Sequence, residues 1–287
     1  MLPLSTTPWR LVAALFFMLT VSSGLGFYNH SVILKALTSN LDFPITASSI
    51  AISVFFLSSG LAGLLVSLLL ERYDARIVIT AGALIAGLAL GSLGLVENLT
   101  QLFILYILFG FGFSASGLLP ATTLITRWFV HRRASAMSIT TTGLSVGGVL
   151  VTPLSAYLIE QYGIRVTAPW LGVLFVVGIV PLCLIYVRSY PSQMTGSSAS
   201  VQHPGQQSRL LELPGRSFQD AIRNKYFWGL SVVYLLLMLS QVGGIAHQFN
   251  LLAGHISIGQ ARPCWRSSPP VVLSVGWPVA GFSITPT

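Results

Sequence analysis

Residues 123–148 read TLITRWFVHRRASAMSITTTGLSVGG. An apolar run closes at Ile125, three arginines (Arg127, Arg132 and Arg133) crowd together, and a second run rich in small residues opens at Met137. Basic residues packed between two apolar segments mark a short loop at a membrane surface. The same alternation extends in both directions. Apolar runs occupy residues 11–34, 47–70, 77–96, 102–125, 137–159 and 169–186, and a seventh, 227–252, follows a long polar gap. A helix rises about 1.5 Å per residue, so about 20 apolar residues cross a hydrocarbon core of about 30 Å. None of the runs alternates with the period of two expected of a barrel strand, and in lipid a helix satisfies its own backbone.

Composition agrees. Only 8% of the 287 residues are charged and 53% are hydrophobic, and the mean hydropathy is +0.78. Soluble domains carry about 25% charged residues. The first run is too long for the apolar region of a signal peptide and no small-residue cleavage site follows, so it is read as a true span.

Lysine and arginine set the expected orientation. With the N-terminus in the cytoplasm, the inner side holds Arg10, Arg72, Arg76, Arg127, Arg132, Arg133, Arg188, Arg209, Arg216, Arg223 and Lys225. The outer side then holds Lys35 and Arg165 before the tail. The net charge of +8 is accounted for by loops facing anionic lipid and calls for no nucleic acid. Cys183 and Cys264 stand at neither disulfide nor metal spacing, and no CxxC, HExxH, GxSxG or P-loop occurs, so neither an enzyme nor a metal or cofactor protein is expected. Asn98-Leu99-Thr100 matches a glycosylation triplet, but its gap is too short and too close to the membrane.

Four stretches resemble the major facilitator superfamily. SLLLERYDAR (67–76) is similar to its G-x-x-x-D-R-x-G-x-R loop, with Glu71 at the acidic position, Arg72 and Arg76 at basic ones, and Ser67 and Asp74 where the family has glycine. Residues 123–148 resemble the W-F-x-x-R-R-G-x-A stretch of monocarboxylate-transporter-like members and their bacterial relatives. PLSAYLIEQYGIRVTA (153–168) is similar to P-x-x-x-x-L-I-x-x-x-G-W-R-x-A, with Ile164 in place of tryptophan. FQDAIRNKYFW, followed by a run ending in GGIAHQFNLL, resembles the restart at the family's second half.

The resemblance implies an all-α membrane protein whose N-terminal six-helix bundle (1–188) consists of two three-helix repeats. A flexible cytoplasmic linker (189–216), a short amphipathic helix N-capped by Ser217, a seventh transmembrane helix (217–259 for both) and an irregular tail (260–287) complete the expected layout. The implied function is secondary transport by alternating access, of a small organic anion such as a monocarboxylate, with a coupled proton as a further possible partner. An exporter of drug-like small molecules and a non-functional or regulatory fragment are the alternatives. The implied location is a bacterial inner membrane. A membrane enzyme lacks the clustered acids and histidines it needs, and a seven-helix receptor has the opposite charge bias.

Polar groups deep in a span are costly unless they face a cavity or a partner. Tyr28, Asn29 and His30 in the first span are therefore candidates for lining a substrate cavity, with His30 suited by its ordinary range to carry a proton. Lys35 is the basic residue near the outer end, placed to attract an anion or to snorkel. Ser114, Thr141, Gln241, His247 and Asn250 complete the cavity candidates; the last two share a helical face with His247 three residues before Asn250. Glu71 and Asp74 against Arg72, Arg76, Arg132 and Arg133 are expected to form a cytoplasmic latch that breaks as the carrier rocks. The glycines of the first, fourth and fifth spans are expected to serve close helix packing.

The tail, ARPCWRSSPPVVLSVGWPVAGFSITPT (261–287), is interrupted by proline and arginine where an eighth span is expected. Read one nucleotide earlier, codons for this stretch permit AAVLALLTAGSVIGRLAGGWFLD, an apolar span. A frameshifted or truncated chain is the expectation, a divergent natural C-terminus the alternative. Sequencing the gene past the stop distinguishes them.

Overall fold

The computed structural model describes residues 6–129, 132–187 and 223–255, and every regular element among them is helical. The expected linker at 189–216, the part of the amphipathic helix before residue 223 and the tail beyond 255 lie outside the described residues. The helices are α1 (Thr6–Gly26), α2 (His30–Asn40), α3 (Ile45–Arg72), α4 (Ala75–Ser92), α5 (Leu99–Ser116), α6 (Leu118–Trp128), α7 (Arg133–Tyr186) and α8 (Lys225–His255). They fall into two compact units, one built on α1–α7 and one on the greater part of α8.

In the first unit, five helical segments are long and apolar enough to cross a membrane: Pro8–Ser39, Ile45–Arg72, Ala75–Leu95, Leu99–Trp128 and Arg133–Tyr186. The last runs for 54 residues, about 81 Å if straight and more than twice a hydrocarbon core. Gly163 breaks it, with φ 75° and ψ 164°, a conformation open essentially to glycine. Two spans result, 133–162 and 164–186, and the six expected crossings are recovered. The turn between them lies against Gly94 in the short 3₁₀ turn Leu93–Leu95, where a Cβ would come 2.8 Å from the Ile164 carbonyl oxygen.

Two spans read as continuous from the sequence are interrupted. Span one breaks between α1 and α2. There the Phe27 and Tyr28 amides both donate to the Ser23 carbonyl, at 2.8 and 2.9 Å. The second bond spans five residues, so the helix widens and loses register. Span four breaks at Gly117. Pro120 follows in the first turn of α6, where its missing N–H belongs to the donors a helix start leaves free anyway. Span one has a long segment followed by eleven residues, and span four has the same plan. Because the two spans run in opposite directions, their short segments end at opposite faces of the bundle. This is the relation expected between the first helices of two inverted three-helix repeats.

Packing follows small residues. α1 runs along the first half of α7, α3 along α5, and α4 between α5 and the second half of α7. Gly87 on α4 and Gly172 on α7 meet face to face, so that a Cβ on either would strike the other's backbone. Lipid is as apolar as a leucine side chain, so close contact rather than water exclusion holds such helices together. Leu57, Leu61, Leu64 and Leu68 of α3 are accordingly exposed on one face.

The loops use ordinary capping chemistry. Asp74 precedes α4 with extended backbone, and its Oδ1 accepts from the Arg76 amide at 2.9 Å. This explains why aspartate stands where the family loop has glycine, since both residues suit an N-cap. The expectation of helix through residue 225 is corrected at 223–224, where the chain turns. Asn224 accepts from the Tyr226 amide at 3.0 Å and starts α8 afresh. Asp42, after α2, has φ 57°. Aspartate is among the few residues with a Cβ that adopt left-handed backbone routinely, because its short polar side chain can bond locally.

Candidate functional site

The break in span one gathers a connected group of polar side chains inside the bundle. Ser23 Oγ donates to the Leu144 carbonyl at 2.7 Å, and Thr152 Oγ1 to the Gly24 carbonyl at 3.3 Å. The Ser155 hydroxyl is shared between the Thr152 carbonyl, at 2.9 Å, and Asn29 Oδ1. Between these ties Gly24 and Gly147 pass backbone to backbone. Gly148, Thr152 and Ser155 recur at i, i+4 and i+7, and so form one face of α7 turned to the break. This seam was readable as a polar stripe at helical spacing. Its partner on span one was not, because Ser155 and Asn29 are 126 residues apart.

The three adjacent candidates Tyr28, Asn29 and His30 have three different surroundings. Tyr28 is half-buried, and its ring lies on Gly148, where a Cβ would meet it at 2.9 Å. Asn29 is fully buried against Ser155, and its Nδ2 has no hydrogen-bond partner. His30 turns to the other side of the bundle, with its ring 4.4 Å from Phe55, 5.4 Å from Phe56, 6.1 Å from Tyr106 and 6.2 Å from Phe109, centre to centre. Its ring reaches back only to the Gly26 backbone, and the buried Tyr106 hydroxyl has no hydrogen-bond partner.

The other candidates are scattered. Ser114 is buried on α5 opposite Gly63. Thr141 bonds back along its own helix to the Met137 carbonyl at 2.9 Å and the Ser138 carbonyl at 3.1 Å. Lys35 is exposed on α2. Gln241 belongs to α8, and the side chains of His247 and Asn250 lie outside the described residues.

At the face where α1 begins, Glu71, Arg72, Asp74, Arg132 and Arg133 are exposed and Arg76 is half-buried. Two arginines there hold helix ends. Arg127 Nη2 donates to the Leu70 carbonyl at 2.9 Å, in the last turn of α3, and Arg76 Nε donates to the Val187 carbonyl where span six ends. Both carbonyls belong to the acceptors that a helix leaves free at its C-terminus, where positive charge is favoured. Sequence reasoning assigned Arg76 to the latch and Arg127 to the inner surface alone.

Among curated proteins, the chain is 32% identical over 159 residues to the human monocarboxylate transporter 14, covering 46% of this chain and 29% of that one. It is 30% identical over 139 residues to a putative tartrate transporter of Agrobacterium vitis, covering 47% and 30% respectively. The matched regions thus span about a third or less of these relatives. Among solved structures, a bacterial homologue of the human lysosomal transporter Spinster, in an inward-facing and unoccupied conformation, superposes with a TM-score of 0.66 at 18% identity, covering 90% of this chain and 58% of that one. The family model of the Major Facilitator Superfamily matches residues 16–284, and the chain, an integral membrane protein of interrupted and closely packed helices, belongs to that superfamily.

Proposed function

We propose that the chain serves secondary transport of a small organic anion, such as a monocarboxylate, by alternating access, from a bacterial inner membrane with its N-terminus in the cytoplasm. The observation that carries this reading is the pair of interruptions in spans one and four. Carriers bind substrate near the midplane, where discontinuous helices expose backbone groups and polar side chains to a cavity. Here the break in span one collects Tyr28, Asn29, Thr152 and Ser155, and the half-buried Thr141 and Ser145 continue the same face of α7. The names of two similar proteins, a monocarboxylate transporter and a putative tartrate transporter, support a carboxylate as the substrate class. The arginines around residues 72–76 and 127–133 support the orientation.

Glu71 and Asp74 with Arg72, Arg76, Arg132 and Arg133 form, in this reading, the inner latch. Uptake of radiolabelled lactate, pyruvate and tartrate by cells expressing the chain, beside cells carrying the empty vector, tests the proposal. Uptake above the vector that unlabelled substrate competes away is expected. A protonophore that abolishes it identifies a proton as the coupled ion. Uptake indistinguishable from the vector for every acid overturns transport by this chain.

A further inference from the structure

We infer that Arg76 is a clasp that seals the inner end of the bundle between spans three and six and keeps water from the Cys183 thiol. The inference concerns the bundle itself and holds whichever solute is carried.

Two contacts join this one residue to a single turn of span six. Arg76 Nε donates to the Val187 carbonyl, and the Arg76 carbonyl oxygen lies 3.7 Å from Cys183 Sγ. Cys183 and Val187 are themselves joined, the Val187 amide donating to the Cys183 carbonyl at 3.0 Å. Thr80, one turn after Arg76 on α4, places its Oγ1 3.9 Å from the same sulfur. Cys183 and Val187 are both 0% exposed, and Ala75, Ile79 and Ile179 in the neighbouring turns are buried as well. Arg76 is half-buried, so its side chain stands at the boundary between this dry layer and the inner surface.

Span three starts where span six ends, so the arginine meets carbonyls that a helix leaves free, at the end where positive charge is favoured. A buried acceptor left unmet is costly. Without the arginine the Val187 carbonyl needs water, and water that reaches it enters beside Cys183. Asp74 is a positioning residue for the clasp. Its Oδ1 accepts from the Arg76 amide and so fixes the first turn of α4, from which the arginine reaches. Because Nε is engaged, Arg76 has only its two Nη groups to offer an acidic partner in the latch.

The test is the rate at which N-ethylmaleimide labels Cys183 in the full chain, in detergent micelles and in a Cys264→Ser background. Arg76→Gln is expected to speed labelling at least tenfold, the loss of one hydrogen bond from a charged donor. The control is Arg127→Gln, which removes the same kind of bond between α6 and α3 and is expected to leave the rate unchanged. Should Arg76→Gln fail to reach the membrane, Asp74→Ala loosens the turn that presents the arginine. It is expected to speed labelling about threefold or more, the loss of a helix cap. High salt is expected to leave the unsubstituted chain shielded, since a partly buried bond to a carbonyl is screened far less than a surface ion pair. Labelling of Arg76→Gln at the rate of the unsubstituted chain overturns the clasp. Equal acceleration by Arg127→Gln also overturns it, since the bundle has then loosened as a whole. Loss of shielding in high salt assigns Arg76 to a surface ion pair and overturns it too.

Discussion

Gly147→Val is expected to abolish the folded bundle. A Cβ at residue 147 would overlap the Thr20 carbonyl oxygen and lie 2.8 Å from the Gly24 backbone nitrogen. These are main-chain atoms, so relief requires moving α1 as a whole rather than turning a side chain. Such a shift breaks the Ser23–Leu144 bond and the Thr152–Gly24 bond on either side of the contact. Overpacking of a well-filled core costs about 3 kcal/mol or occasionally more, and β-branching adds bulk at the point of closest approach. The control is Gly60→Val on α3, where no atom lies within 4 Å of the position a Cβ would take. Fluorescence-detected size-exclusion in mild detergent is expected to give a monodisperse peak for Gly60→Val and an aggregated or absent one for Gly147→Val. Equal profiles would mean that α1 and α7 do not pack as described.

Phe55→Ala is expected to have the next largest effect. Phe55 is 0% exposed and lies against His30, Phe56, Phe109 and Phe113, joining α2, α3 and α5. In a water-soluble core, Phe→Ala costs about 3–5 kcal/mol, part of it for transfer from water and part for the cavity. Inside a bilayer the unfolded reference is already apolar, so the cavity share, about 2 kcal/mol, is what remains. The melting temperature is expected to fall by roughly 4–8 °C. His30→Phe should move it the other way. That change keeps a ring of similar shape in the aromatic cluster and removes two buried nitrogens, whose one contact is with the Gly26 backbone, a net gain of at most about 1 kcal/mol. A drop on His30→Phe would show that the imidazole makes a bond on which α2 depends.

Much of this architecture was legible in the sequence, for definite physical reasons. Apolar length is read directly by the solvent, so each crossing appeared as a run, and the expected packing role of the glycines is seen at Gly24, Gly110, Gly112, Gly143 and Gly147. The interruptions were harder. Gly117 and Pro120 carry a chemical signature of a broken helix, but Phe27, Tyr28 and Asn29 do not, since nothing in those residues forbids helix. What widens the turn there is tertiary: Gly26 stands against the Phe113 ring and Asn29 against Ser155. The site was legible only in part for the same reason. The polar residues of span one could be picked out because burying them is costly, yet which of them meet α7 and which meet α3 depends on helix rotation that one sequence does not encode. His30 illustrates this, adjacent to Asn29 in the chain and facing the opposite side. Arg127 likewise reads as a surface anchor until the Leu70 carbonyl is seen beneath it.

The membrane orientation underlies the latch, the substrate path and the side from which the site is reached. It is tested by a membrane-impermeant maleimide on intact cells, using Asp42→Cys and Arg132→Cys in a background with Cys183→Ser and Cys264→Ser. Labelling of the Asp42→Cys protein in intact cells, and of the Arg132→Cys protein only after permeabilisation, is the expected result. Labelling of the Arg132→Cys protein from outside would contradict it.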